Sequence, residues 1–224
     1  MYRRILGSIL LVFCFPWHLL AQEGGEETHV FSSIVKIKTY ERDPLLQSFE
    51  FSHFGSAVLI GKNRILTNAH VIQGRDTNAP TGYYEICISS SFRTIPYCTT
   101  EARLISYDDI LDIALLELRD ALHIPPVSID PTIDGVKMGQ DVIMYGYPMI
   151  GGDTITRTEG KVAGFMNGVY KIDGSIDHGN SGGGAFDRSL RLIGMPFAVS
   201  SDNGVIGYII PIDSIAKFLD KKSE

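Results

Sequence analysis

Gly179-Asn180-Ser181-Gly182-Gly183 places one serine among three glycines, in a run with no apolar periodicity. Glycine accepts positive φ and lets another backbone pass close by. Amides beside such a serine can converge on one point and stabilise an oxyanion there. Read alone, the run is an ordinary Gly/Ser loop. Two other segments supply chemical partners for it. Leu66-Thr67-Asn68-Ala69-His70-Val71 puts a histidine just after a strand and before a glycine-containing loop. Leu111-Asp112-Ile113-Ala114-Leu115-Leu116 puts an aspartate at the mouth of a strongly apolar strand.

The trio makes chemical sense. A serine hydroxyl is a poor nucleophile at neutral pH, and a neutral imidazole can take its proton during attack and return it to the leaving group. A carboxylate behind the imidazole fixes its tautomer and stabilises the imidazolium that forms. The oxyanion then needs donors, and the backbone N–H groups of Gly179 and Ser181 are the natural ones. Each residue also has a plain structural reading. The chain has six histidines, and Asp108 and Asp109 stand near enough to compete with Asp112.

From Val30 onward, apolar runs of strand length alternate with Gly, Asn, Asp or Pro punctuation. Strands are expected at 30–38, 54–60, 65–67, 102–107, 113–118, 141–147, 154–163, 184–186, 191–200 and 205–210. The turn Gly61-Lys62-Asn63-Arg64 makes a hairpin of the second and third. Many short strands at regular spacing argue for an all-β sandwich or barrel. One stretch reads as helix, a C-terminal amphipathic segment over about 212–221 with apolar residues at Ile215, Phe218 and Leu219. A short helical turn is also open to the residues after His70, and residues 123–138, with three prolines, read as a crossover between two β units.

Thr67-Asn68-Ala69-His70-Val71, Asp112-Ile113-Ala114-Leu115-Leu116 and Gly179-Asn180-Ser181-Gly182-Gly183 resemble the three active-site blocks of trypsin-like serine proteases, in the same His, Asp, Ser order. The segments Gly139-Gln140-Asp141-Val142 through Gly146-Tyr147-Pro148, Thr158-Glu159-Gly160-Lys161-Val162 and Gly207-Tyr208-Ile209-Ile210-Pro211 are similar to those of the bacterial HtrA/Deg-type branch. The resemblance covers roughly residues 30 to 220. It implies two packed six-stranded antiparallel β-barrels, the first over about 30–122 and the second over about 136–211, with the site in the cleft between them. It implies a serine endopeptidase acting on polypeptides through an acyl-enzyme, with no metal or organic cofactor. His70 maps to the general base, Asp112 to the orienting carboxylate, Ser181 to the nucleophile, and Gly179 with Ser181 to the oxyanion hole. The base of the primary pocket falls at Ser175 and its walls at Pro196, Phe197 and Ala198, implying small or medium apolar residues at the cleaved position. Deg-type chains usually continue into PDZ domains, whereas this sequence stops at Glu224. A protease-like binding module and a latent protease awaiting activation are the alternatives. An esterase of the nucleophile-elbow type is disfavoured, because it would place Ser before Asp and His.

The N-terminus reads as a secretory signal over 1–21, with Arg3 and Arg4 before the apolar run Ile5 to Phe15 and a small residue at Ala21. Residues 22–29 read as a flexible lead-in to a protease domain over 30–224. The expected location is therefore periplasmic or extracellular, with no membrane attachment after cleavage. The net charge of −6 becomes about −8 when two arginines leave with the leader, which disfavours nucleic acid as a partner. Export makes a disulfide between Cys87 and Cys98 available, in segments 83–89 and 92–99 that could be hairpin arms. Two buried thiols are the alternative, and the sequence leaves the oligomeric state open.

Overall fold

A computed structural model describes residues 27–43, 45–75, 77–132, 136–149, 152–174, 176, 178–199 and 206–221. The leader over 1–21, most of the lead-in and Ser175 lie outside these residues, as do the side chains of Ala198 and Val199. Residues 27–32 are helical (α1). The first group of strands is β1 Ile34–Arg42, β2 Phe49–Gly61, β3 Arg64–Thr67, β4 Tyr83–Ile88, β5 Tyr97–Asp108 and β6 Ile113–Leu118, with the one-turn helix α2 Ala69–Ile72 after β3. They close an antiparallel barrel in the order β1-β2-β3-β6-β5-β4. The second group is β7 Asp141–Gly146, β8 Thr156–Met166, β9 Val169–Ile172, β10 Gly184–Phe186, β11 Leu192–Val199 and β12 Gly207–Pro211. It closes a second barrel in the order β10-β11-β12-β9-β8-β7, and α3 Ile212–Asp220 follows it. The fold is therefore the expected pair of six-stranded barrels with a short C-terminal helix.

Three apolar clusters explain why several strands read as unbroken apolar runs. Along a strand, successive side chains point to opposite faces. In β6, Ala114 and Leu116 join the cluster that fills the first barrel, whereas Ile113 and Leu115 join the cluster between the barrels. In β7, Val142 and Met144 fill the second barrel, and Ile143 and Tyr145 face the first. Both faces are covered, so alternation of apolar with polar residues disappears. The helix α3 adds Ile212, Ile215 and Phe218 to the shared cluster. Burying a side chain of this size contributes about 1.5–3 kcal/mol.

Several boundaries differ from the sequence expectation. Residues 30–33 were expected to open the first strand and 27–29 to be a flexible lead-in. Instead 27–32 are helical, and Val30 and Phe31 reach the inter-barrel cluster from that turn. The strand begins only at Ile34, where pairing with Val58 begins. Residues 97–99 and the expected segment 102–107 belong to one long strand, β5, which starts at Tyr97, whereas 92–96, expected as part of a hairpin arm, precede it. Register shifts at Leu104/Ser106 in its pairing with β6 and at Ile86/Cys87 in its pairing with β4 break its alternation. In that ladder Cys87 stands opposite Cys98, and the two are joined by a disulfide.

Candidate active site

His70 sits in α2, whose four residues are too few to hold themselves. Asp112 fixes it. The His70 backbone N–H donates to Asp112 Oδ1 at 3.0 Å, and His70 Nδ1 lies 2.8 Å from Asp112 Oδ2. The carboxylate can only accept, so Nδ1 carries a hydrogen and Nε2 is left to face the cleft when the ring is neutral. Asp112 lies just before β6 with φ 54°, a left-handed conformation uncommon for a residue with a side chain. Asn68 Nδ2 donates to its carbonyl at 2.8 Å and secures it. The two competing aspartates are occupied elsewhere. Asp108 Oδ1 accepts from the Ile110 and Leu111 N–H groups, and Asp109 Oδ1 accepts from Gln73 Nε2.

Ser181 stands on the turn before β10. A Cβ on Gly182 would meet the Ser56 carbonyl oxygen at 2.1 Å, and one on Gly179 would meet the Tyr147 carbonyl oxygen at 2.2 Å. Both glycines have positive φ, 84° and 98°. The glycines in this run are thus required twice, for conformation and for close approach. Ser56 stitches the turn to the first barrel. Its N–H donates to the Ser181 carbonyl at 2.9 Å, its Oγ donates to the Gly179 carbonyl at 2.6 Å, and that Oγ accepts from the Tyr147 N–H at 2.8 Å. Met149 N–H holds the His178 carbonyl at 2.6 Å.

His70, Gly179 and Ser181 line one cavity of about 240 Å³, together with Phe51, His53 and Phe54. Ser181 Oγ donates to the Phe197 carbonyl at 3.3 Å, and among the described residues no hydrogen bond joins it to His70. Larger cavities, about 460 and 610 Å³, lie beside Arg64 and beside Arg103, and neither has a serine and histidine together in its wall. Of the expected pocket residues, Pro196 accepts from the Gly182 N–H and Phe197 packs beside Tyr208. The backbone of Ala198 pairs with Tyr208. Neither Pro196 nor Phe197 lines the cavity that holds His70, and Ser175 and the side chain of Ala198 lie outside the described residues.

Sequence reasoning did not single out Ser56 or His53. A serine inside an apolar strand carries no periodic signal, and its one clue is the preceding Gly55. A Cβ there would meet the Val71 methyl carbons at 2.7 and 2.8 Å.

The trypsin-like peptidase domain family matches residues 55–195, more than half of the sequence, and the chain belongs to that family. A serine protease of Mycobacterium tuberculosis is 28% identical over 180 residues, covering 75% of this chain and 41% of its own length. A do/HhoA-like serine protease of Haemophilus influenzae, named as periplasmic, is 26% identical over 184 residues, covering 76% and 37%. The chain thus spans less than half the length of these relatives. A serine endoprotease from Yersinia pestis, known from its crystal structure, superposes with a TM-score of 0.71 over 89% of this chain and 66% of its own. At 24% identity that likeness concerns the fold.

Proposed function

We propose that the protein is an exported serine endopeptidase, with Ser181 as nucleophile, His70 as general base and Asp112 as its orienting carboxylate. The observation that carries this reading is the two-point hold of Asp112 on His70, in a cavity whose wall includes Ser181. A polypeptide entering the cleft draws Ser181 Oγ from the Phe197 carbonyl to His70 Nε2. At 3.3 Å the bond it leaves is a long one for O–H···O. His70 takes the hydroxyl proton as Oγ attacks the scissile carbonyl carbon. The Gly179 and Ser181 N–H groups receive the oxyanion, and the imidazolium returns the proton to the leaving amine. Water then repeats the sequence on the acyl-enzyme.

The protease domain spans 30–224 in this reading, with Pro196, Phe197, Ala198 and Ser175 shaping a primary pocket for small or medium apolar residues. Export rests on the signal-like sequence over 1–21 and on the periplasmic relative. Among the described residues no helix is long and apolar enough to cross a membrane. The test is hydrolysis of an unfolded protein by the purified chain, with Ser181→Ala as control. Turnover that disappears in the variant is expected, and equal turnover in both overturns the reading. A second reading, a latent protease, rests on the Ser181–Phe197 hydrogen bond. It predicts a lag or a requirement for peptide before hydrolysis begins.

A further inference from the structure

One histidine in the wall of the cavity has no part in the proton transfers above. His53 lies on β2, opposite Thr39 of β1, and its ring is half-buried beside His70. Its Nε2 is 3.0 Å from the Val71 carbonyl oxygen. Thr39 Oγ1 donates to the same oxygen at 2.6 Å. Val71 directly follows His70 in α2, a four-residue helix with no side-chain bond at its N-cap. External anchors therefore set the direction in which α2 presents its histidine. Asp112 holds the helix at the His70 N–H, Tyr84 OH donates to the Ile72 carbonyl at 3.0 Å, and the Thr39–His53 pair closes on Val71 between them.

We propose that His53 is a positioning residue for the general base, holding the Val71 carbonyl and through it the orientation of His70. This rests on the reading of His70 as base. The hydrogen positions follow from the partners. A carbonyl only accepts, so Nε2 of His53 carries the hydrogen. In the neutral ring Nδ1 is then a lone pair, 2.9 Å from Ser52 Oγ, whose single hydrogen can turn to Nδ1 or to Glu41 Oε1 but not to both. Burial pushes His53 below the usual histidine range, against the hydrogen bond to Val71 and the charge of Glu41, and the neighbouring Arg75 and His70 act in the same direction as burial. Glu41 lies below the usual carboxylate range, through the Ser52 hydroxyl in the orientation that turns its hydrogen to Oε1 and through the Arg75 N–H, which donates to the same oxygen. His178 lines the same cavity. The neutral, Nε2-protonated ring is thus the form that these surroundings support, and it supplies a donor to Val71 without adding charge beside the base.

The experiment compares wild type, His53→Gln, His53→Asn and His53→Leu in steady-state hydrolysis of one peptide, beside Ser181→Ala. Glutamine can place an amide N–H near the position of Nε2, asparagine is too short, and leucine has no donor. Losing one hydrogen bond of ordinary net strength corresponds to about a tenfold change. The expected result is kcat about tenfold lower for the Asn and Leu variants, KM little changed, and Gln restoring most of the rate. Asn keeps the test available if Leu fails to fold. Nitrogen-15 NMR of the wild type should show His53 as the Nε2–H tautomer at neutral pH. Equal kcat in wild type and Asn, Gln falling as far as Asn, or an Nδ1–H tautomer overturns the proposal. Wild-type turnover matched by Ser181→Ala overturns instead the reading on which it rests.

Discussion

Asp112 grips His70 at two points, by Oδ2 on the ring nitrogen Nδ1 at 2.8 Å and by Oδ1 on the backbone N–H at 3.0 Å. The second bond ties the carboxylate to the helix that bears the ring, so the ring and its orienter move together. Substituting Asp112→Asn keeps the size but offers an amide that can present a donor to Nδ1, favouring the wrong tautomer. On the proposed roles the rate should fall by about four orders of magnitude, the loss such a change brings in serine-protease triads. Asp108→Asn and Asp109→Asn should leave it within about threefold, because their carboxylates serve a turn and Gln73. Steady-state kinetics on the three variants check this, and a large loss in either neighbour with none in Asp112→Asn would reverse the assignment.

Ser56 joins the two barrels at the turn that bears Ser181. Its hydroxyl both donates to Gly179 and accepts from Tyr147, and the residue is fully buried. Ser56→Ala leaves a buried acceptor and a buried donor without that partner, at about 1–3 kcal/mol for each group left unsatisfied. A lower unfolding midpoint and a reduced kcat should appear together, because the Gly179 peptide loses its anchor. An unchanged kcat would separate the turn's anchoring from its chemistry.

Outside the cleft, Asp141 receives Arg188 Nε at 2.6 Å and also bonds Lys161 Nζ. Hydrogen bonds from Arg188, then Lys161, hold its carboxyl at about 2 rather than 3.8. The folded value lies below the unfolded one, so the stabilisation is present above 3.8 and is lost as pH falls from there towards 2. Urea midpoints of wild type and Asp141→Asn should therefore differ at neutral pH and converge at the acid end. A constant difference down to the lowest pH would show that the carboxylate's charge plays no part.

The disulfide between Cys87 and Cys98 closes a loop with a sequence separation of 11 residues across β4 and β5. A loop of that length corresponds to about 2–3 kcal/mol of stabilisation in the chain-entropy account. Reductant should lower the unfolding midpoint of the wild type and leave that of Cys98→Ala unmoved. Equal shifts in both would mean that the reductant acts elsewhere.

The barrels and the three blocks were legible because each block carries its chemistry in a few adjacent residues, as at Asp112-Ile113 or Ser181-Gly182. Other features were hidden by geometry. The expected break between 92–99 and 102–107 vanished because bulges shift the side-chain alternation within one continuous strand. The hairpin into β9 went unpredicted although its signal was present. Asn167-Gly168 has positive φ at both positions, 49° and 82°, as a two-residue hairpin turn of the primed kind requires. Its short strand, Val169–Ile172, is largely half-buried and was too weakly apolar to register. His53 gave no sequence sign and Ser56 only that of the preceding Gly55, since their roles depend on partners elsewhere in the chain, Val71 in α2 and Gly179 in the serine turn.

The most direct test of the central claim is labelling of the purified protein with a fluorophosphonate probe, with Ser181→Ala alongside. Such a probe reacts with an activated serine and leaves an ordinary hydroxyl untouched. The account predicts one label per chain, located at Ser181 by peptide mapping, slowed sharply by Asp112→Asn and absent from Ser181→Ala. Folded protein that stays unlabelled even with an unfolded polypeptide present, or label that persists in Ser181→Ala, would contradict it.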